Sequence, residues 1–186
     1  MPRAGLSSDV VVAEAARLID LEGAGALTLR AVAESFGVAQ PSLYKHIGGL
    51  DDLHSRLALV AARDLGACLR RAVSGKATGD ALRAAAAAYR RYARQHPGCY
   101  GYLLRPRADD EEHARASVEV LAVLYDVLAG YGIVDDPDRV DAARFLRSAL
   151  HGFVSLETSG GFAMSRSVDR SFDRSVQALD AALREW

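Results

Sequence analysis

Apolar residues recur along this chain at helical spacing, and glycines and prolines interrupt them at intervals. From about Asp9 to Glu22, Val11, Ala15 and Leu18 fall at i, i+4 and i+7, with Val12, Ala16 and Ile19 alongside, enough to bury one side of a helix. The glycines of "GAG" at 23–25 stop it. Thr28 predicts an N-cap for a short helix over about Leu29 to Phe36, and Gly37 ends that helix because glycine takes the left-handed conformation cheaply. A second short helix is predicted over about Gln40 to His46. Pro41 is tolerated in its first turn, where its missing N–H would be unpaired anyway, and "GG" at 48 and 49 closes it.

The later blocks are longer. A helix from Leu50 to about Val73 starts with Asp51 and Asp52, which suit a positive helix end, and buries Leu53, Leu57, Ala61 and Leu65. Asp80 opens another, to about Gln95, ended by "HPG". The aromatic stretch "CYGYLLRP" leads to a further helix, for which Asp109 and Glu112 look like a capping box. "DDP" at 135–137 opens a helix running to about Thr158, "SGGF" breaks it, and a last helix spans about Ser167 to Glu185 with Phe172, Val176, Leu179 and Leu183 on one face. No stretch has strand period. The pattern predicts an all-α chain of about nine helices.

Composition narrows the class without naming a function. Half of the 186 residues are hydrophobic, so the chain can bury a core, and no apolar run reaches the roughly 18 residues of a membrane span. Cys68 and Cys99 are too few for a disulfide scaffold, and the start lacks the basic-then-apolar order of a signal peptide, so a cytoplasmic location is expected. The formal net charge of −1 offers no electrostatic pointer to nucleic acid. Through residue 50, Arg3, Arg17, Arg30 and Lys45 face Asp9, Glu14, Asp20, Glu22 and Glu34. Any case for DNA must come from arrangement.

That arrangement exists between residues 29 and 46. Two short helices are joined by a tight turn at Gly37-Val38. Ala33 is small enough for a close crossing, and Val32, Phe36, Val38 and Leu43 can share a core. This is a helix-turn-helix, whose second helix projects its polar side where it can enter a major groove. Pro41 starts that helix abruptly, placing Gln40 and Ser42 at its leading end to meet base edges. Tyr44, Lys45 and His46 sit farther back, able to donate to phosphates, and Arg30 opens the first helix pointing the same way. The residues alone leave a blander alternative open, in which Tyr44 is a half-buried core aromatic and Lys45 is merely solvated.

The segment "LTLRAVAESFGVAQPSLYKHIGGLDDL", residues 27–53, resembles the DNA-binding domain of the TetR (tetracycline repressor) family of bacterial transcriptional regulators, and "QPSLYKH" is especially close to a recognition helix of that family. The resemblance is specific over about residues 9–60, and the order and length of the later helices also fit. It implies that Gln40, Pro41 and Ser42 are base-reading positions, that Tyr44, Lys45 and His46 contact the backbone, and that Arg30 reaches a base or phosphate. One departure is that Leu50 stands where the family usually carries a phosphate-holding lysine. The resemblance also implies a division into a DNA-binding domain at 1–49 and an effector-binding and dimerisation domain at 50–186.

In the C-terminal half, "LRSALHGFVSLETSGGF" at 146–162 resembles a TetR-type domain marked by a Trp-His-Gly signature, of which His151 and Gly152 match and the tryptophan is replaced. This helix carries two apolar stripes, Phe145, Ala149, Gly152 and Leu156 on one side, and Leu146, Leu150, Phe153 and Val154 on the other. A helix apolar on two sides fits one that lines its own core and also packs on a partner. With the last helix, through Phe172, Val176, Leu179 and Leu183, it resembles the family's four-helix dimer interface; a purely internal helix is the alternative. Tyr89, Tyr92, Tyr100, Tyr102 and Tyr125 line an effector cavity or are ordinary core, and His151 is a ligand contact or a satisfied core residue. Arg83, Arg90, Arg91 and Arg94 read most simply as a solvated face, with a site for an anionic effector as the alternative.

Enzyme motifs are lacking: there is no G-x-S-x-G elbow, complete G-x-G-x-x-G or Walker P-loop. His46, His54, His96, His113 and His151 show no metal-ligand spacing, so no metal or cofactor is expected. The expected function is a homodimeric, ligand-responsive transcriptional repressor of a near-palindromic double-stranded DNA operator, released by a small molecule. Against it stands a helical interaction module, or a helical enzyme using His151 with a nearby Ser or Glu157.

Overall fold

A computed structural model describes residues 5–103 and 111–186. Among the described residues it is all-α: eight α-helices, with two short 3-10 helices between the first three. The chain forms two compact units that interleave in sequence, Met1–Ala62 with Gln95–Ala114 and Arg63–Arg94 with Arg115–Trp186. Among the described residues no helix is long and apolar enough to cross a membrane. The capping box expected from Asp109 and Glu112 lies outside the described residues.

In the first unit, α1 (Ser8–Glu22) is capped by Ser7, whose hydroxyl accepts from Val10 N. Its stripe Val11, Val12, Ala15, Leu18 and Ile19 is buried as the spacing predicts. After a 3-10 turn at Ala24–Ala26, the Thr28 hydroxyl accepts from Ala31 N at 3.0 Å and starts α2 (Leu29–Phe36). Gly37, at φ 64°, turns the chain out of α2 and lets Val38 N donate back to Ala33 O, closing the helix end. The next segment, Gln40–Lys45, winds as a 3-10 helix rather than the expected α-helix. Pro41 removes one N–H and fixes its φ, and the run is held from inside by Leu43 and then Ile47, so a tight short turn suffices.

α3 (Leu50–Val73) begins as expected, and Asp52 at its start accepts from Gly48 N at 2.7 Å and from Arg56 Nε at 2.9 Å. The "HPG" signal has a second meaning. It ends α4 (Thr78–Gln95) and opens α5 (Pro97–Tyr102), a helix the sequence pattern did not predict. α5 packs in the first unit against α1. A Cβ at Gly98 would stand 2.2 Å from Ile19 O, so only glycine permits this approach. Asp20 fastens the junction, one carboxylate oxygen accepting from Cys99 N and the other lying 2.8 Å from His96 Nδ1. At the far end of α5 the Tyr102 hydroxyl lies 2.8 Å from His54 Nδ1 on α3.

The second unit contains α4, α6 (Glu111–Ala129), α7 (Asp136–Thr158) and α8 (Val168–Arg184) with the later part of α3. α4 buries Leu82, Tyr89 and Tyr92 among small residues, Ala81, Ala85, Ala86, Ala88 and Ala93, which allow close helix packing. The solvated arginine face expected on α4 needs correction at Arg90. Its guanidinium is turned inward, binding Glu157 of α7 through Nε (2.7 Å) and Nη2 (2.5 Å) and Asp169 of α8 at 2.6 Å, and it covers the Phe172 ring. A charge this enclosed is tolerated because it is fully paired. Arg90 accordingly holds the Glu157 carboxyl below its ordinary range.

Candidate nucleic-acid interface

Four local events place the polar edge of the first unit. Thr28 fixes where α2 starts, Gly37 reverses the chain, Pro41 starts the 3-10 segment, and Leu43 anchors it at 0 % exposure. Val32 and Ala33 of α2 are buried with Leu43, and Phe36 and Val38 pack at the margin of the same core. What remains outward is Gln40, Pro41, Tyr44 and Lys45, with Ser42 and His46 half-buried beside the anchor. Tyr44 is 54 % exposed, which decides against a core role for it. Its hydroxyl lies 3.5 Å from Gln40 Nε2. Residues 38–47 contain no Asp or Glu, so no carboxylate within the segment competes for Lys45.

Arg30 shares this side of the unit's sequence but arrives already paired: its Nε donates to Glu34 Oε1 at 2.7 Å, with both side chains exposed. Sequence reasoning missed Glu34, although its i, i+4 spacing from Arg30 was visible. Leu50, at the position where a lysine would hold a phosphate, is partly buried against the core of the first unit. It supplies packing there, not charge.

The structure distributes the residues expected at an effector site over both units. Tyr89 and Tyr92 are buried on α4 in the second unit. Tyr125 is half-buried with the Arg139 guanidinium 4.4 Å above its ring. His151 is half-buried on α7, and burial, followed by the neighbouring Arg147 charge, holds its imidazole below the usual range. Tyr100 and Tyr102 lie in the first unit, Tyr102 stacked on His54. A shallow depression of about 430 Å³, lined by Ala67, Arg70, Arg71 and Ser74, shares no residue with this set.

The eight residues expected at a subunit contact also separate. On α7, Leu146, Leu150 and Val154 are buried, while the other stripe keeps exposed surface: Phe145 is 38 % exposed, its ring 5.5 Å from that of Trp186, and Leu156 is 51 % exposed, with Ala149 and Gly152 half-buried between them. Beyond its chain neighbours and the nearby backbone of its own helix, nothing lies within 4 Å of where a Cβ at Gly152 would stand. Phe172, Val176, Leu179 and Leu183 of α8, by contrast, are at most 5 % exposed within the single chain. Their place in a direct contact is corrected on that ground, since side chains already buried have no surface to give a partner. α8 turns Asp173, Arg174, Gln177, Ala178 and Ala181 outward instead.

Comparison with known proteins bears on both halves of the chain. Residues 11–54 match the family of bacterial regulatory proteins, tetR family, and residues 82–179 match the tetracyclin repressor-like, C-terminal domain family. An uncharacterized HTH-type transcriptional regulator of Mycobacterium tuberculosis is 38 % identical over 159 residues, 84 % of this chain and 72 % of that protein. Among solved structures, a protein of unknown function from Rhodococcus sp. RHA1 superposes with a TM-score of 0.83 at 21 % identity, covering 99 % of each chain. The Streptomyces coelicolor TetR family protein ActR, in complex with (S)-DNPA, superposes with a TM-score of 0.69 at 18 % identity, covering 98 % of each chain.

Proposed function

The chain belongs to the TetR family of bacterial regulatory proteins, and from that premise we propose that it is a ligand-responsive transcriptional repressor binding a near-palindromic operator as a homodimer. The observation that carries the DNA-binding reading is the exposed edge Gln40, Pro41, Tyr44 and Lys45 on a segment whose inner side is the buried Leu43. Gln40 and Ser42 read base edges, Pro41 sets their approach, and Tyr44, Lys45 and His46 hold phosphates, which fix register while base contacts select sequence. Arg30 joins them at the start of α2. In this reading DNA binding belongs to residues 1–49, and effector binding and dimerisation to 50–186.

Dimerisation rests on the open stripe of α7. Phe145, Ala149, Gly152 and Leu156 meet their own copies across a two-fold axis, with α8 supporting α7 from within the chain through its buried face. A dimer sets its recognition segments about 34–36 Å apart, one turn of DNA. A small molecule held in the second unit near Tyr89, Tyr92, Tyr125 and His151 favours a dimer with a different separation. It releases DNA only by binding that state better, and a coupling of about 1–3 kcal/mol changes affinity roughly 5–150-fold. Tyr102 is assigned to the α5 junction in place of the effector site. α5 lies between α4 and α6 in the chain and packs on α1.

Selection of binding sites from a randomised duplex library by the full chain tests the reading. The expected result is an enriched two-fold-symmetric sequence whose binding is lost in a Tyr44→Ala, Lys45→Ala double variant. Failure to enrich any sequence, with the same retention for wild type and double variant, removes the DNA-binding function.

A further inference from the structure

The Arg30–Glu34 pair on α2 is poorly explained as a stabiliser of the fold. Both side chains are exposed, at 81 % and 62 %, so the pair fills no core, and ion pairs in that setting contribute little. Its polarity is also unfavourable. Arg30 stands in the first turn, at the positive end of an eight-residue helix, and Glu34 in the last turn, at the negative end. Helix dipoles favour the opposite order, and acid-before-base is the better i, i+4 arrangement. For helix stability alone, exchanging the two residues would be preferable.

The geometry of the contact points outward. Glu34 Oε1 takes the Nε–H of Arg30 at 2.7 Å, the only hydrogen bond described for this guanidinium. Binding through Nε leaves the far end, Nη1 and Nη2, as a planar fork. Two donors at that spacing match O6 and N7 of guanine, the bidentate contact by which arginine most often reads a base in the major groove. A phosphate is served less well. The Nε–Nη edge that an arginine commonly presents to an oxyanion is occupied, and the Glu34 carboxylate would be brought towards a second negative group.

We propose that Glu34 is a specificity-determining residue: by holding Arg30 through Nε, it commits the guanidinium to reading a guanine in the operator and away from a phosphate. The inference rests on the DNA-binding reading above and assigns a role to a side chain that does not itself touch DNA. Against the DNA surface the effective dielectric is lower than in bulk water, so the pair is less screened there than in solvent.

Parallel binding-site selections on full-length wild type, Glu34→Ala, Glu34→Gln and Arg30→Ala test this, followed by affinity measurements over a salt series. The wild type should select a guanine at one position per half-site, and Arg30→Ala should lose that preference. Glu34→Ala should keep the rest of the selected sequence while the guanine preference falls by about tenfold, within the range one bidentate contact supplies. Its log affinity should also depend more steeply on log salt, by about one unit per half-site, because the freed Arg30 takes a phosphate. Glu34→Gln, which keeps an acceptor for Nε, should fall between. An Arg30→Ala, Glu34→Ala double variant carried through the same selection should show no further loss of guanine preference beyond Arg30→Ala, the signature of residues acting as one unit.

An unchanged guanine preference in Glu34→Ala overturns the proposal, as does a wild-type sequence with no guanine sensitive to Arg30. So does a uniform loss of affinity for all sequences with a lowered melting temperature, which would mark Glu34 as structural. If the wild type enriches no sequence at all, the DNA-binding reading fails with it, and that result is distinct from the other three.

Discussion

The 3-10 segment at Gln40–Lys45 and helix α7 both keep side chains in solvent, for opposite physical reasons. The segment has one fully buried residue, Leu43, and exposes polar groups around it. Helix α7 already has a full inner stripe in Leu146, Leu150 and Val154, and exposes apolar groups on a second side. Polar exposure on a minimal anchor suits a surface that exchanges water for another hydrogen-bonding surface. Apolar exposure beside half-buried small residues suits one that loses water altogether. The same chain thus presents two kinds of surface, one polar and one apolar, and substitutions should separate them.

The largest effect is expected at the anchor. Leu43→Ala removes the fully buried side chain of the segment, a change that typically costs about 2–5 kcal/mol in a packed core. Thermal unfolding followed by circular dichroism should show that loss, and DNA affinity should fall for every sequence alike. A melting temperature within a degree of wild type would mean that the segment is held by something other than Leu43.

At α7 the corresponding test is Gly152→Leu. Because a Cβ at Gly152 meets nothing within 4 Å in the single chain beyond its neighbours and the nearby backbone of its own helix, the added side chain should leave the subunit's own fold intact. If two copies of the stripe meet, it should overpack that contact by typically about 1–3 kcal/mol. Sedimentation should then show a shift towards folded monomer with unchanged helical content, and operator affinity should fall with it. A variant that remains fully dimeric places the interface elsewhere and leaves the DNA-binding edge untouched.

How these sites could be read from the sequence differs in the same way. The turn chemistry of the first unit is local: Thr28, Gly37 and Pro41 each act within four residues, so the sequence pattern located α2, the turn and the exposed edge. It did not distinguish an α-helix from a 3-10 helix over six residues, because both put Leu43 inside. The contacts of α5 are not local. "HPG" reads as a stop, and the need for glycine at 98 comes from the backbone of Ile19, 79 positions away in sequence. The stripes of α7 and α8 were equally visible, but periodicity records that a face is apolar without saying what covers it. For α8 it is the chain itself, and the same ambiguity hid the inward turn of Arg90 towards Glu157 and Asp169.

A smaller, sequence-restricted effect is expected at the leading end of the segment. Gln40→Ala should leave stability and dimerisation unchanged and relax selectivity at one base position in each half-site. A glutamine amide pairs with adenine through two hydrogen bonds, and such a pair discriminates by about 1–3 kcal/mol. The 3.5 Å approach of Gln40 Nε2 to the Tyr44 hydroxyl makes Tyr44→Phe an informative companion, since it removes that partner together with the hydroxyl's phosphate contact, and only the loss of the partner should move base preference. If Gln40→Ala returns the wild-type preference at every position, base reading belongs to other residues of the edge.

The smallest effect is expected at Lys45, and it is the one that separates the two kinds of surface most cleanly. A lysine on a phosphate releases about one counterion, so its loss should flatten log affinity against log salt by roughly one unit per half-site, or about two per dimer. At any single moderate salt concentration the change in affinity is modest, and it should be the same for operator and unrelated DNA. Base preference should not move, because phosphates carry no sequence information. Residues 38–47 hold no carboxylate, so removing Lys45 breaks no ion pair within the segment and should leave thermal stability in place. Titration of wild type and Lys45→Ala against one duplex across a salt series reads the slope directly. Equal slopes would show that Lys45 is only solvated, and would leave the phosphate contacts to Tyr44 and His46.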